Sequence, residues 1–353
     1  MKFFRAYSIE FLLMFALLAA VLFFAYLGYG LLSPQLAIAE FSGEDALAYA
    51  AAQVDAGPRA TGSEASAEMV EWLTEELRGH RWRVIIQPYD VTVPAVGAGE
   101  PISDTAQMSE EMTAAAIQFS LSDMVTLRAR NVIAYREPAD TAEGEELPVA
   151  LIVAPYDSRI IADADQSSGS TPGANIGASS AAVLLELADT LNIELSEHRI
   201  CLVFLDGEHN RGVPGWQPPY GGSLFLQEAN DDDEDLAECA RPRLAVVLDG
   251  VGGTNHRLRQ SPASDLELSR ALWRTAAGLE LDAQFVEGED PPLAGVHNTF
   301  VEAGIPTVLL AEGEYPYRYT SEDTLDKLDA ASLSGVGTTL KVWLESGAPR
   351  AEE

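Results

Sequence analysis

The sequence predicts an α/β chain, with a central, mostly parallel sheet flanked by helices and one transmembrane helix ahead of it. Three observations carry that reading. Short apolar runs (83–93, 131–135, 149–153, 200–205, 244–248 and 307–310) alternate with segments of helical spacing. Such runs, four to eleven residues long and bounded by turn residues, suit strands buried on both faces, and their alternation with helices indicates a covered sheet. With 47% apolar residues in 353, the chain can bury a sizeable core, so global disorder is excluded. Finally, residues 11–32 form an uncharged, strongly apolar run of 22 residues.

As a helix that run extends about 33 Å, enough to span a bilayer core. Lys2 and Arg5 precede it and an acidic domain follows, so the positive-inside tendency makes 1–10 a cytoplasmic tail. Tyr26 and Tyr29 then fall near the outer interface. A rival reading is a cleaved secretory signal, because Ala37-Ile38-Ala39 resembles a cleavage site, but the run exceeds the usual h-region. Either way, the 33–41 linker leads to a main domain (42–348) that works outside the cytoplasm, periplasmic or extracellular. Gly28, Gly30, Ala16, Ala19 and Ala20 permit close helix contact with a membrane-protein partner, or face lipid.

Pro34 marks the end of the span, and Ser42 with Glu44 and Asp45 opens the first helix of the domain. Met69, Leu73 and Leu77 share one face of a helix over 65–77, and 178–191 is helical as well. Residues 94–113 read as a loop-like excursion, and Asp231 to Asp235 as an exposed acidic loop rather than a calcium site. Cys201 and Cys239 form no metal motif; outside the cytoplasm they either pair or leave Cys201 as a buried thiol.

The formal net charge of −33 argues against nucleic acid and against electrostatic docking on anionic lipid. It serves a solvated surface or a docking face for a basic protein surface. No G-x-S-x-G, P-loop or G-x-G-x-x-G pattern is present, which leaves serine catalysis and nucleotide binding without support.

The suggestive residues fall where α/β sheets gather chemistry, just after strands: Asp157, then Asp206, Glu208 and His209, then Asp249, with His297 further on. On paper these supply the nitrogen and oxygen ligands, and the proton-accepting carboxylate, of a metal hydrolase. The plainer reading is helix-capping carboxylates and histidines in a polar network.

Seven segments in order resemble the co-catalytic zinc aminopeptidases and their relatives, the glutaminyl cyclases. They are 57–63 (GPRATGS), 131–134 (NVIA), 172–188, 204–208 (FLDGE), 220–223 (YGGS, after Trp216), 300–310 and 321–329. The resemblance covers roughly residues 44–345 and implies a zinc-exopeptidase-like, mixed but mostly parallel sheet. It also implies five ligand positions. The first ligand histidine has become Pro155, in Pro155-Tyr156-Asp157-Ser158. The bridging aspartate has become Ile176, the glutamate ligand His209, and the last histidine Tyr319, while Asp249 is kept. Glu208 keeps the place of the catalytic glutamate, and His297 matches a histidine beside the ligands.

Proline and isoleucine offer zinc no donor, and a protonated tyrosine is a poor ligand. Together with the apolar span 11–32, the resemblance thus implies a membrane-anchored pseudoenzyme without cofactor, with Glu208, Asp157, His297, Asp249 and His209 as vestiges. Such a domain would serve a membrane complex as a structural or binding accessory subunit, or receive a peptide in the old cleft. The alternative is an active zinc aminopeptidase or glutaminyl cyclase with a site remodelled around Glu208, His209, Asp249 and His297.

Overall fold

The computed structural model describes residues 39–94, 124–139, 141, 146–167, 169–213, 215–216, 220–230 and 235–349, with 14, 17–21 and 23 nearer the N-terminus. The chain divides into two units, Met1–Ala39 and Glu40–Glu353. In the first, residues 17–21 are helical. The span expected at 11–32 falls mostly outside the described residues, as do most of the 33–41 linker, the 94–113 excursion beyond Pro94 and the acidic stretch 231–234. Among the described residues no helix is long and apolar enough to cross a membrane.

The second unit opens with α1 (Gly43–Asp55), whose first turn is capped by the Ser42 hydroxyl accepting from the Asp45 N–H. Ser63 caps α2 (Glu64–Gly79) in the same way, and Met69, Leu73 and Leu77 are buried as their spacing predicts. Two long antiparallel strands follow, β1 (Arg83–Pro94) and β2 (Met124–Arg136). The sequence reading of 131–135 covers only the more buried part of β2, whose first four residues, Met124 to Leu127, carry exposed or half-buried side chains and are parted from it by Arg128 and Arg130.

Next come β3 (Val149–Pro155), α3 (Ser180–Thr190), β4 (Arg199–Leu205), α4 (Gly221–Asn230) and β5 (Leu244–Asp249). The chain closes with β6 (Leu258–Gln260), α5 (Leu266–Gly278), β7 (Phe285–Glu289), α6 (His297–Glu302), β8 (Thr307–Ala311) and α7 (Ala330–Glu345).

Six strands form the main sheet in the order β1-β2-β4-β3-β5-β8. Pairing is antiparallel for β1–β2 and β2–β4 and parallel for the other three neighbours, so the sheet is mixed and mostly parallel, as expected. Side chains alternate across it. Ile152, Phe204 and Val246 face a core shared with Leu73, Leu184, Leu340 and Trp343 of α2, α3 and α7. Leu151, Val153 and Val203 face the other core, with Phe225 of α4 and Phe300 of α6.

Cys201 and Cys239 are joined in a disulfide, with Cα atoms 6.0 Å apart, tying β4 to the turn Ala237–Cys239. No free cysteine remains among the described residues. Of the two readings open for Cys201, pairing is the one the structure adopts.

Candidate functional site

The parallel strands β3, β4 and β5 deliver their C-terminal ends to one rim, and the candidate residues sit on it. Asp157 follows β3 and is fully buried, Asp206 to His209 follow β4, and Asp249 ends β5. The adjacent glycine, Gly250, has φ +79, a left-handed turn that takes the chain off the strand.

His209 joins two of these strand ends. Its backbone N–H donates to Asp157 Oδ2 at 3.0 Å, and its Nδ1 lies 2.7 Å from the Asp157 carbonyl and 3.3 Å from Oδ1. Its Nε2 lies 3.3 Å from Asp249 Oδ1. Only acceptors face both ring nitrogens, so both must donate, which makes the ring an imidazolium. Burial works against that charge, but Asp157 and Asp249 outweigh it and raise the His209 pKa well above its ordinary value.

The other Asp249 oxygen meets a second cation. Arg318 Nη1 lies 3.3 Å from Oδ2 and Nη2 donates to the Asp249 carbonyl at 3.2 Å. Burial would raise the Asp249 pKa, yet Arg318 and His209 hold it well below the usual carboxylate range.

Glu208 is committed elsewhere. Its Oε1 accepts from the Gly222 N–H at 2.7 Å, and its Oε2 pairs with Arg211 Nη2 at 2.7 Å and Nε at 2.8 Å. Burial raises its pKa, with Arg211 opposing. Arg211 in turn donates to Thr299 Oγ1 at 3.0 Å and stacks 3.9 Å from the Tyr220 ring centroid. Nearby, Asp206 accepts from Thr61, Tyr156 and the Arg130 N–H. Burial and then the Asp157 charge push its carboxyl up to about 7. His297 is 1% exposed with neither ring nitrogen hydrogen-bonded, and burial lowers its pKa, so it stays neutral.

The loop before α3 is shaped from outside. Asp323 accepts from the Asn175 N–H at 2.8 Å, the Ile176 N–H at 3.1 Å and the Tyr315 hydroxyl at 2.8 Å. Buried Arg59 donates to the Pro172 and Gly173 carbonyls at 2.7 and 2.6 Å. Ile176 itself is buried, and a methyl group added at Gly250 would stand 2.6 Å from its Cδ1. An apolar side chain therefore fills the space beside the Asp249 turn. Tyr319, at φ +60, sets its ring 6.2 Å from that of His209, with the Arg159 guanidinium 4.4 Å from the Tyr319 centroid.

The sequence model of "Peptidase family M28" matches residues 131–344, more than half of the chain. The chain belongs to peptidase family M28. None of the curated proteins matches it. Among solved structures, this M28 chain is similar to a leucine aminopeptidase precursor from Bacteroides thetaiotaomicron at 22% identity. That match covers 87% of this chain and 98% of the other, with a TM-score of 0.69. It is also similar to the glutaminyl cyclase of the same organism (22%, 87% and 99%, TM-score 0.68) and to that of Fimbriiglobus ruber (24%, 87% and 95%, TM-score 0.67). At these identities the likeness shows the shared fold.

The side chains of this M28 chain do not fit a zinc pair. Pro155 and Ile176 carry no donor, and both Asp249 oxygens already face cations. Among the described residues no group of three His, Cys, Asp or Glu is arranged to hold a metal ion. Sequence reasoning found His209 and Asp249 but missed Arg318 and Arg211. Their signal was indirect: a buried carboxylate without a metal needs a cation nearby.

Proposed function

We propose that this M28 chain is a membrane-anchored, non-catalytic peptidase-like protein, acting as a structural or binding accessory subunit of a membrane protein complex. One observation carries the reading: His209 and Arg318 occupy both oxygens of Asp249, the one ligand position left unchanged. They supply the positive charge that a zinc ion would bring, but neither can polarise a carbonyl as a Lewis acid or activate a water. The pairing of Glu208 with Arg211 supports the same reading, since a carboxylate held in an ion pair is a poor proton acceptor. The apolar run 11–32 supports the anchor.

A second reading, an active zinc aminopeptidase or glutaminyl cyclase, draws on the similar enzymes and on Glu208 and Asp249 standing at the strand ends. The two readings separate on the full chain purified in mild detergent. The proposal expects no stoichiometric zinc after dialysis against the metal, no turnover of aminoacyl or N-terminal glutaminyl peptides, and co-purifying membrane proteins. Bound zinc with chelator-sensitive turnover overturns the non-catalytic part. A chain that elutes alone removes the subunit role, and release from membranes by alkaline carbonate removes the anchor.

A further inference from the structure

At the opposite end of the sheet from the candidate site, three arginines line one recess. β1 opens at Arg83, in register with Tyr135 near the close of β2. Arg136 ends β2 and pairs with Ile200 at the start of β4, whereas the candidate site lies beyond the end of β4. Arg81 stands in the turn between α2 and β1. The three line a recess of about 260 Å³ with Tyr135, Glu137 and Thr141.

Their lack of ion-pair partners among the described residues is the informative feature. The chain has 55 acidic residues against 22 Lys and Arg, so carboxylates are plentiful. Yet the Arg81 and Arg136 guanidinium groups form no hydrogen bond or ion pair among the described residues. Among the described residues Arg83 hydrogen-bonds only Tyr135, with Nη1 3.5 Å from the hydroxyl and the guanidinium 5.7 Å from the ring centroid, while Glu238 and Glu137 act on it through space. Among the described residues the one carboxylate lining the recess, Glu137, pairs with Arg199 at 2.6 Å. Glu238 pairs with Arg199 as well, at 2.8 Å, and Glu194 accepts from the Ala139 N–H at 2.9 Å.

The backbone beneath these arginines is fixed. Arg81 has φ +65 and its N–H donates to the Arg78 carbonyl at 3.0 Å. Trp82 is buried, and its indole donates to the Ala188 carbonyl at 2.9 Å. Arg83 and Arg136 stand on paired strands. Three guanidinium forks with no ion-pair partner among the described residues, on a fixed backbone, suit a multiply charged oxyanion, because each offers parallel donors to two oxygens. The net charge of −33 repels anions at long range, so binding must come from this local grouping rather than from a general attraction.

We propose that the recess bounded by Arg81, Arg83 and Arg136 is a binding site for a phosphate-bearing ligand, separate from the peptidase-like cleft. The test is calorimetric titration of the full chain in phosphatidylcholine nanodiscs with inorganic phosphate, pyrophosphate and a short-chain soluble phosphatidate, with acetate as the monoanion control. The proposal expects saturable one-to-one binding of a phosphate probe, weakened at least about tenfold in R83Q/R136Q. Binding of the free phosphates assigns a soluble ligand, and binding of phosphatidate alone assigns a lipid headgroup. Should the double variant fail to fold, R81Q, at an exposed turn, and R136Q carry the comparison singly. Absence of saturable binding, acetate binding as tightly, or folded variants binding like the wild type overturns the site.

Discussion

Arg318 grips Asp249 twice, through the carboxylate Oδ2 at 3.3 Å and the backbone carbonyl at 3.2 Å, while His209 holds the other carboxylate oxygen. Removing one partner of a buried pair leaves an uncompensated charge, at a cost of about 3–5 kcal/mol. Arg318→Met should therefore lower unfolding stability by about that amount, less whatever His209 and water recover. Urea titration followed by circular dichroism measures it. An unchanged midpoint would mean that Arg318 is not needed to hold Asp249.

The same cluster sets a pH dependence. The raised His209 pKa contributes stability that is full below its unfolded value of 6.5 and is lost as pH rises through the higher folded value. Asp249 acts in the opposite sense, with its contribution present above 3.8 and lost only as pH falls through its depressed folded value. Asp206, raised to about 7, stabilises the protonated fold, and that contribution fades between 3.8 and about 7. Thermal melting from pH 4 to 8 should show Asp206→Asn flattening the decline across that lower interval. A slope identical to wild type would contradict the assignment to Asp206.

Asp323 offers a third test, because it anchors the loop where the family's bridging ligand would stand. Asp323→Ala leaves the Asn175 and Ile176 N–H groups and the Tyr315 hydroxyl without their acceptor. At about 1–3 kcal/mol for each unsatisfied buried group, partly relieved by water, the loss should be several kcal/mol. Hydrogen exchange should speed up first over 173–179. Uniform exchange with unchanged stability would show that Asp323 does not shape the loop.

The sheet was legible because buried strands write continuous apolar runs: 149–153, 200–205 and 244–248 all fall inside β3, β4 and β5. Helices α5 and α7 are less legible, although Asp265 and Asp329 cap them: α7 carries Gly335, Gly337, Thr338 and Thr339, poor helix formers, and is held by burial of Leu340, Trp343 and Leu344. In the site, Pro155, Ile176 and Tyr319 were readable by position in the motifs. Arg318 was not, although it adjoins Tyr319. Its role depends on a turn that brings it against β5, and no local pattern encodes that contact.

The disulfide closes a sequence separation of 38 between Cys201, 0% exposed in β4, and Cys239 beside α4. By the chain-entropy estimate, a loop of that length constrains the unfolded chain by about 3–4 kcal/mol. Cys201→Ala with Cys239→Ala should lower stability by up to that amount, and the double substitution avoids leaving a lone reactive thiol. The effect should vanish when wild type and variant are compared in excess reductant, because both chains then unfold without the crosslink. A stability gap that persists under reduction would assign the loss to packing of the two sulfur atoms rather than to the closed loop.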